Sequence, residues 1–183
     1  IGIFYLRRGT RLKTFMLGGH QENGRRGGTE NVPYIVGLGK AAELAASHLA
    51  EESPRSRLLR DRFEKAILDS VPGTEVNGDR ENRLPNTTNI AFEGIESEGA
   101  LMLLDERSIY CSAGSACTSG SVHPSHVLKA MGFSNHRARS SLRFSFGRFN
   151  TDAEVDAAAI AVPEVIEKLR RLAPAKGPVI MAA

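Results

Sequence analysis

The chain has 183 residues, 41% of them hydrophobic, with 24 basic and 21 acidic side chains and a net charge of +3. That is enough apolar material for one sizeable core, or a core and part of a second. Basic residues interleaved with acidic ones and the absence of tryptophan argue against a nucleic-acid surface. Two cysteines are too few for a secreted disulfide framework, so a reducing, cytoplasmic setting fits.

Residues 1–6, IGIFYL, are too short an apolar run for a signal peptide or a membrane span and read as a strand, with residues 12–17 as a second extended piece. The first residue is Ile rather than Met, as in a piece cut from something longer. Residues 18–31, GGHQENGRRGGTEN, carry five glycines. Such a loop lets backbone approach a ligand closely, and Arg25, Arg26 and the Thr29 hydroxyl suit an anion. The same composition also suits a flexible, charged surface loop. A helix is expected from about Val32 to Ala50, apolar at positions 35, 38, 42, 45 and 49. A second, beginning at Ser53–Pro54, should carry Leu58, Leu59, Phe63, Ile67 and Val71 inward until Pro72–Gly73 stop it.

Thr74 to Val76 and Asn86 to Phe92 read as strands around an Asn77-Gly78-Asp79 turn, and residues 98–107 as a short helix burying Leu101 and Leu104. Residues 140–146 form a strand with Leu142, Phe144 and Phe146 on one side and Arg143 on the other. Thr151 and Glu154 make a capping box for a last helix, which runs to about Leu172 with a kink expected at Pro163. This order indicates an α+β unit over residues 51–183, a three- or four-stranded, largely antiparallel sheet with helices on one face. Residues 1–50 are then the remainder of a different domain.

The chemistry concentrates in residues 109–131, IYCSAGSACTSGSVHPSHVLKAM, which hold both cysteines. Residues 112–123 are rich in serine, threonine and glycine, with Val122 the only bulky apolar residue, so they form a loop. Beyond it Val127, Leu128 and Met131 fall on one helix face, and Gly132 stops the helix. A thiol on such a loop, Cys117, can reach a substrate and swing away. Because an unperturbed thiol is only about 3% thiolate at neutral pH, Cys117 needs an activating environment to attack. Cys111 continues the apolar Ile109–Tyr110 run and reads as a small buried hydrophobe. His123 and His126 follow the cysteines, but the spacing C-x5-C-x5-H-x2-H matches no usual zinc pattern, so no metal is expected.

Four segments, GGHQENGRRGGTENVPYIVGLGKAAELA, RLPNTTNIAF, GSACTSGSVHPSHVLKAMG and SSLRFSFGRFNTDAEVD, resemble the NifS/IscS-type cysteine desulfurases, pyridoxal-phosphate enzymes of the class V aminotransferase family. The resemblance covers residues 1 to about 172 and is nearest the NifS branch, associated with nitrogen fixation and nitrogenase iron–sulfur cluster assembly. It implies a fold-type I enzyme. Residues 1–50 would be the C-terminal end of the large cofactor-binding domain, with its phosphate loop and connecting helix, and residues 51–183 the small C-terminal domain. The implied activity is removal of sulfur from L-cysteine, giving L-alanine and a persulfide on Cys117 that passes to an iron–sulfur scaffold or another acceptor protein. A cytoplasmic homodimer without nucleic-acid or membrane partners is implied as well.

Residue by residue, Cys117 matches the family's nucleophile and Arg143 the arginine that holds the substrate carboxylate. Thr29 matches the threonine that reaches the cofactor phosphate of the neighbouring subunit, while His123 and His126 match no family role. The family's Schiff-base lysine lies a few residues before the position of Ile1, so the 183-residue chain by itself is expected to be inactive. Val122–His123 stand where Leu-Glu is common, and the tail after Leu172 departs from the family's scaffold-binding tail. Two other readings use the same residues: a cofactor-independent sulfur-relay or interaction domain built around Cys117, and a selenocysteine lyase-like enzyme. The long serine-rich loop favours the desulfurase over the lyase.

Overall fold

Strand alternation in the second half of the chain builds a four-stranded, wholly antiparallel sheet in the order β1-β2-β4-β3. The strands are β1 (Thr74–Val76), β2 (Thr87–Phe92), β3 (Ser112–Ala113) and β4 (Ser141–Ser145). The structure, a computed structural model, describes residues 1–113 and 124–173, and the chain divides into two units, Ile1–Ala50 and Glu51–Ala183.

Within the second unit, Leu142 and Phe144 of β4 and Ile90 and Phe92 of β2 are buried with Phe63 and Ile67 of α2 (Val32–Ser70), Leu104 of α3 (Ser97–Asp105) and Val155, Val162 and Ile166 of α6 (Asp152–Leu172). Each such side chain contributes about 1.5–3 kcal/mol over leaving it in water. The Phe63 ring lies 4.7 Å from that of Phe144 and 5.6 Å from that of Phe146, both tilted, as aromatic quadrupoles prefer. Two short helices, α4 (His126–Ala130) and α5 (Asn135–Arg139), precede β4. The expected capping box at Thr151 and Glu154 is present, and α6 runs unbroken through Pro163. Among the described residues no helix is long and apolar enough to cross a membrane.

Several expectations are corrected. The two helices predicted on either side of residue 52 are one, Val32–Ser70, with Pro54 inside it. Proline there forfeits the bond to the carbonyl of Ala50, and the division between the two units falls after that same residue. Leu59, Phe63, Ile67 and Val71 are buried, spaced four apart on one helix face, but Leu58 is 71% exposed because it is one step, about 100°, round from that stripe. Leu101 is only partly buried. In α4, Leu128 is buried while Val127 and Met131 are about half exposed, because a five-residue helix seats one side chain and not a stripe. Gly132, φ +88°, does end it.

The first unit has no buried residue, and Phe4, Tyr5, Phe15 and Leu17 are largely exposed. Residues 1–6 and 12–17 form no strand. Extended backbone becomes a strand only when a neighbour takes its N–H and C=O groups in succession, and here only Met16 O is taken, by Gly27 N.

One buried charge ties the loop between β1 and β2 to α2. Glu64, 3% exposed, accepts from Arg83 Nη1 at 2.7 Å and Nη2 at 2.9 Å, and from Thr88 Oγ1 at 2.6 Å. Burial by itself would raise its pKa. The hydrogen bonds from Arg83 and Thr88, with the charges of Arg83 and Arg80, outweigh it and hold the carboxyl below its usual range. A carboxyl lowered in the fold stabilises fully above the ordinary value, near pH 4.3, and loses that contribution as pH falls through the lower folded value. Arg83→Leu is therefore expected to cost about 3–5 kcal/mol at neutral pH by leaving the buried carboxylate with only Thr88 and the longer, exposed Arg80 contact at 3.4 Å. In urea unfolding curves the gap between variant and parent should shrink below about pH 4. A cost under about 1 kcal/mol at neutral pH contradicts this account.

Candidate active site

Arg143 sits in the middle of β4, opposite Asn89 of β2 on one side and Ser112 of β3 on the other. The two-residue period of the strand turns it away from Leu142 and Phe144, leaving it half-buried on the face opposite the core. Its Nη2 donates to Ser112 Oγ at 3.4 Å, and its buried Nε has no partner among the described residues. Among the described residues no other acceptor takes the guanidinium's remaining donors.

The same face is wired by amides and hydroxyls. Asn77 Nδ2 donates to Asn89 Oδ1 at 2.7 Å and to Ser141 Oγ at 2.9 Å, while Asn77 Oδ1 accepts from Arg137 Nε at 2.7 Å. Arg137 also pairs with Glu75 and lies 4.4 Å above the Phe133 ring. Asn77 and Ser141 are buried, and these bonds satisfy them.

Ser112 and Ala113 form the short edge strand from which the chain enters residues 114–123. Cys117, Val122 and His123 lie outside the described residues. The chain re-emerges at Pro124, and Ser125 Oγ caps α4 by accepting from Leu128 N at 3.4 Å. His126 is exposed at the start of that helix. Cys111 packs against the core beside Ile109, and burial pushes its thiol up to about 12, in keeping with a small buried hydrophobe. Among the described residues no three histidines, cysteines or carboxylates gather as a metal site.

The glycine-rich segment belongs to the first unit. Gly27 N donates to Met16 O at 2.8 Å, and a Cβ at Gly27 would stand 2.8 Å from Leu17 O, so only glycine permits this approach. The sequence offers both arginines to an anion, but they differ here. Arg26 is largely occupied by Glu22 and by backbone carbonyls, whereas Arg25 and Thr29 are exposed. Thr29, Arg25, Arg26 and Glu22 line a cleft of about 780 Å³ whose other walls are mainly apolar, Ile3, Phe4 and Ile35 among them; no lysine lines it. The partners of Arg143, Asn89 and Ser112, escaped sequence reasoning. Alternation assigns a face to each residue, but only the register makes them neighbours.

The aminotransferase class-V family pattern matches residues 1–158. A cysteine desulfurase of Gluconacetobacter diazotrophicus is 55% identical over 95% of this chain and 44% of its own length. The cysteine desulfurase NifS of Azotobacter vinelandii is 49% identical over 95% of this chain and 43% of its own length. A solved NifS-like protein superposes with a TM-score of 0.77 at 32% identity, over 90% of this chain and 42% of that one. A NifS-like protein from Rickettsia africae gives 0.75 at 31% identity, over 86% of this chain and 41% of that one. The chain thus spans less than half the length of the relatives it matches.

With its pKa near 12, Cys111 should react with iodoacetamide at neutral pH at least about a thousandfold more slowly than free cysteine. Its rate should climb about tenfold per pH unit, since each unit multiplies the thiolate tenfold. Peptide mapping of alkylated protein reads this, and rapid neutral-pH labelling of Cys111 would contradict the burial argument.

Proposed function

The chain belongs to the aminotransferase class-V family, and from that premise we propose that it is the portion of a cysteine desulfurase that binds the carboxylate of L-cysteine and accepts its sulfur. The observation that carries this reading is the pairing of Ser112 with Arg143. It sets the strand that leads into the Cys117 segment directly beside an arginine with donors to spare. Substrate recognition and sulfur acceptance then start from adjacent strands.

Class-V aminotransferases depend on pyridoxal phosphate. The residues present fit its phosphate end, since Thr29, with its hydroxyl, and Arg25, with its guanidinium, are exposed residues that line the cleft. No lysine lines the cleft beside them, so the amine that holds the cofactor's aldehyde end has to come from elsewhere. When bound, the cofactor supplies an electron sink that weakens the bond between the β-carbon and sulfur of cysteine.

Arg143 grips the substrate carboxylate with its planar fork, a task that the point charge of lysine performs less well. Ser112 holds one end of that fork, and the packing of Leu142 and Phe144 keeps the strand from turning. Cys117, as thiolate, attacks the substrate sulfur; its new S–S bond forms as the C–S bond breaks, and the carbon skeleton takes up a proton and leaves as alanine. The product is a persulfide on Cys117, ready for an acceptor protein, with iron–sulfur cluster assembly as its destination. Thr29 serves the phosphate site of a second subunit, so the active unit is a homodimer.

Alanine and sulfide release from L-cysteine, with pyridoxal phosphate and a reducing thiol to cleave the persulfide supplied, tests the proposal. The full-length protein that contains this chain should release both, the 183 residues by themselves neither, and Cys117→Ala should abolish release. Arg143→Lys should raise KM about a hundredfold. Unchanged alanine release by Cys117→Ala would overturn the reading.

A further inference from the structure

Two consecutive arginines in the glycine-rich loop have different tasks. Arg25 is exposed, and among the described residues its guanidinium donates only to Glu22 O, at 3.5 Å. Arg26 has a side chain only 20% exposed, and its guanidinium is turned into the loop. Nε donates to Glu22 Oε1 at 2.5 Å, and Nη1 donates to the carbonyls of Gly28 at 2.7 Å and Gly27 at 3.3 Å.

The geometry at both ends of this grip is special. Glu22 and Asn23, in α1 (Gln21–Gly24), have φ of 53° and 59°, the left-handed region that side-chain-bearing residues hold only when their surroundings fix them. Gly28, at φ +91°, sits in the same region. The Gly28 carbonyl shares one rigid peptide plane with the amide of Thr29. A guanidinium that holds that oxygen fixes the plane, and with it the direction in which Thr29 leaves the loop.

We infer that Arg26 is a positioning residue for a phosphate monoester site: it takes no part in binding the anion but locks the Gly28–Thr29 peptide against Glu22, so that Thr29 is presented in one orientation. The inference rests on the reading of Thr29 as a phosphate contact. Lysine at position 26 keeps the charge but cannot bond a carboxylate and two carbonyls from one planar fork.

The test uses the full-length protein stripped of cofactor, with dissociation constants measured by absorbance for pyridoxal phosphate and for pyridoxal, which lacks the phosphate. Hydrogen exchange is followed for the amides of residues 22–29. Thr29→Ala is expected to weaken pyridoxal phosphate about tenfold and to leave pyridoxal unchanged. Arg26→Lys should do the same, speed exchange at Arg26 and Gly27, whose amides are bonded to Gln21 O and Met16 O, and cost nothing further in the Thr29→Ala background. Glu22→Gln removes the same ion pair from the other side and should act in the same direction, which keeps the test decisive if Arg26→Lys does not fold. A loss with Thr29→Ala but none with Arg26→Lys or Glu22→Gln overturns the inference alone. A loss with Arg26→Lys that persists in the Thr29→Ala background, or that extends equally to pyridoxal, overturns it too. No loss with Thr29→Ala overturns the phosphate reading and this inference with it.

Discussion

The antiparallel pairing of β2 with β4 is the constraint on which the second unit depends. Asn89 stands opposite Arg143 and Ile90 opposite Leu142, so one register decides which side chains enter the core and which face away. Leu142 and Phe144 pack with Phe63, while Arg143 lies between Asn89 and Ser112 on the other face. A slip of one residue would drive the guanidinium into the apolar layer and put Leu142 on the face that Arg143 now occupies. Core packing and site geometry are therefore one physical fact, because the energy that seats Phe144 also holds Arg143.

Polar burial reinforces that register from both sides of the sheet. Under it, Glu64 gathers Arg83, Arg80 and Thr88, joining the β1–β2 loop to α2. Above it, Asn77 joins β1, β2 and the start of β4 through Asn89 and Ser141, and Arg137 closes the network from α5. A satisfied buried network is intolerant of rearrangement, since each member left without its partner is costly. That intolerance keeps Asn89 and Ser141, and with them the surroundings of Arg143, in one arrangement.

The first unit is held by different means. With no buried residue, it relies on local bonds: Thr14 to the Gly24 carbonyl, Gly27 to the Met16 carbonyl, and Arg26 to Glu22 and the glycine carbonyls. Its glycines serve approach and left-handed turns, at Gly27 and Gly28, and not flexibility as such. The apolar stripe at positions 35, 38, 42, 45 and 49 has the helical period of a buried face, yet Ile35 and Leu49 are exposed. Periodicity reports which face a helix offers and not what covers it.

What the sequence determined by itself was local or periodic: the capping box at Thr151 and Glu154, the stop at Gly132, the alternation that splits Arg143 from Leu142 and Phe144, and the segments that carry the family resemblance. Each depends on residues within a few positions of one another, so the pattern is complete in the chain. Tertiary structure decided the rest. It carried α2 through Pro54, left Leu58 in solvent, and denied residues 1–6 and 12–17 a strand. It also chose Asn89 and Ser112 as the neighbours of Arg143, across 54 and 31 positions of chain. A strand's register and a side chain's partner are set by groups distant in sequence, and only packing brings those groups within reach.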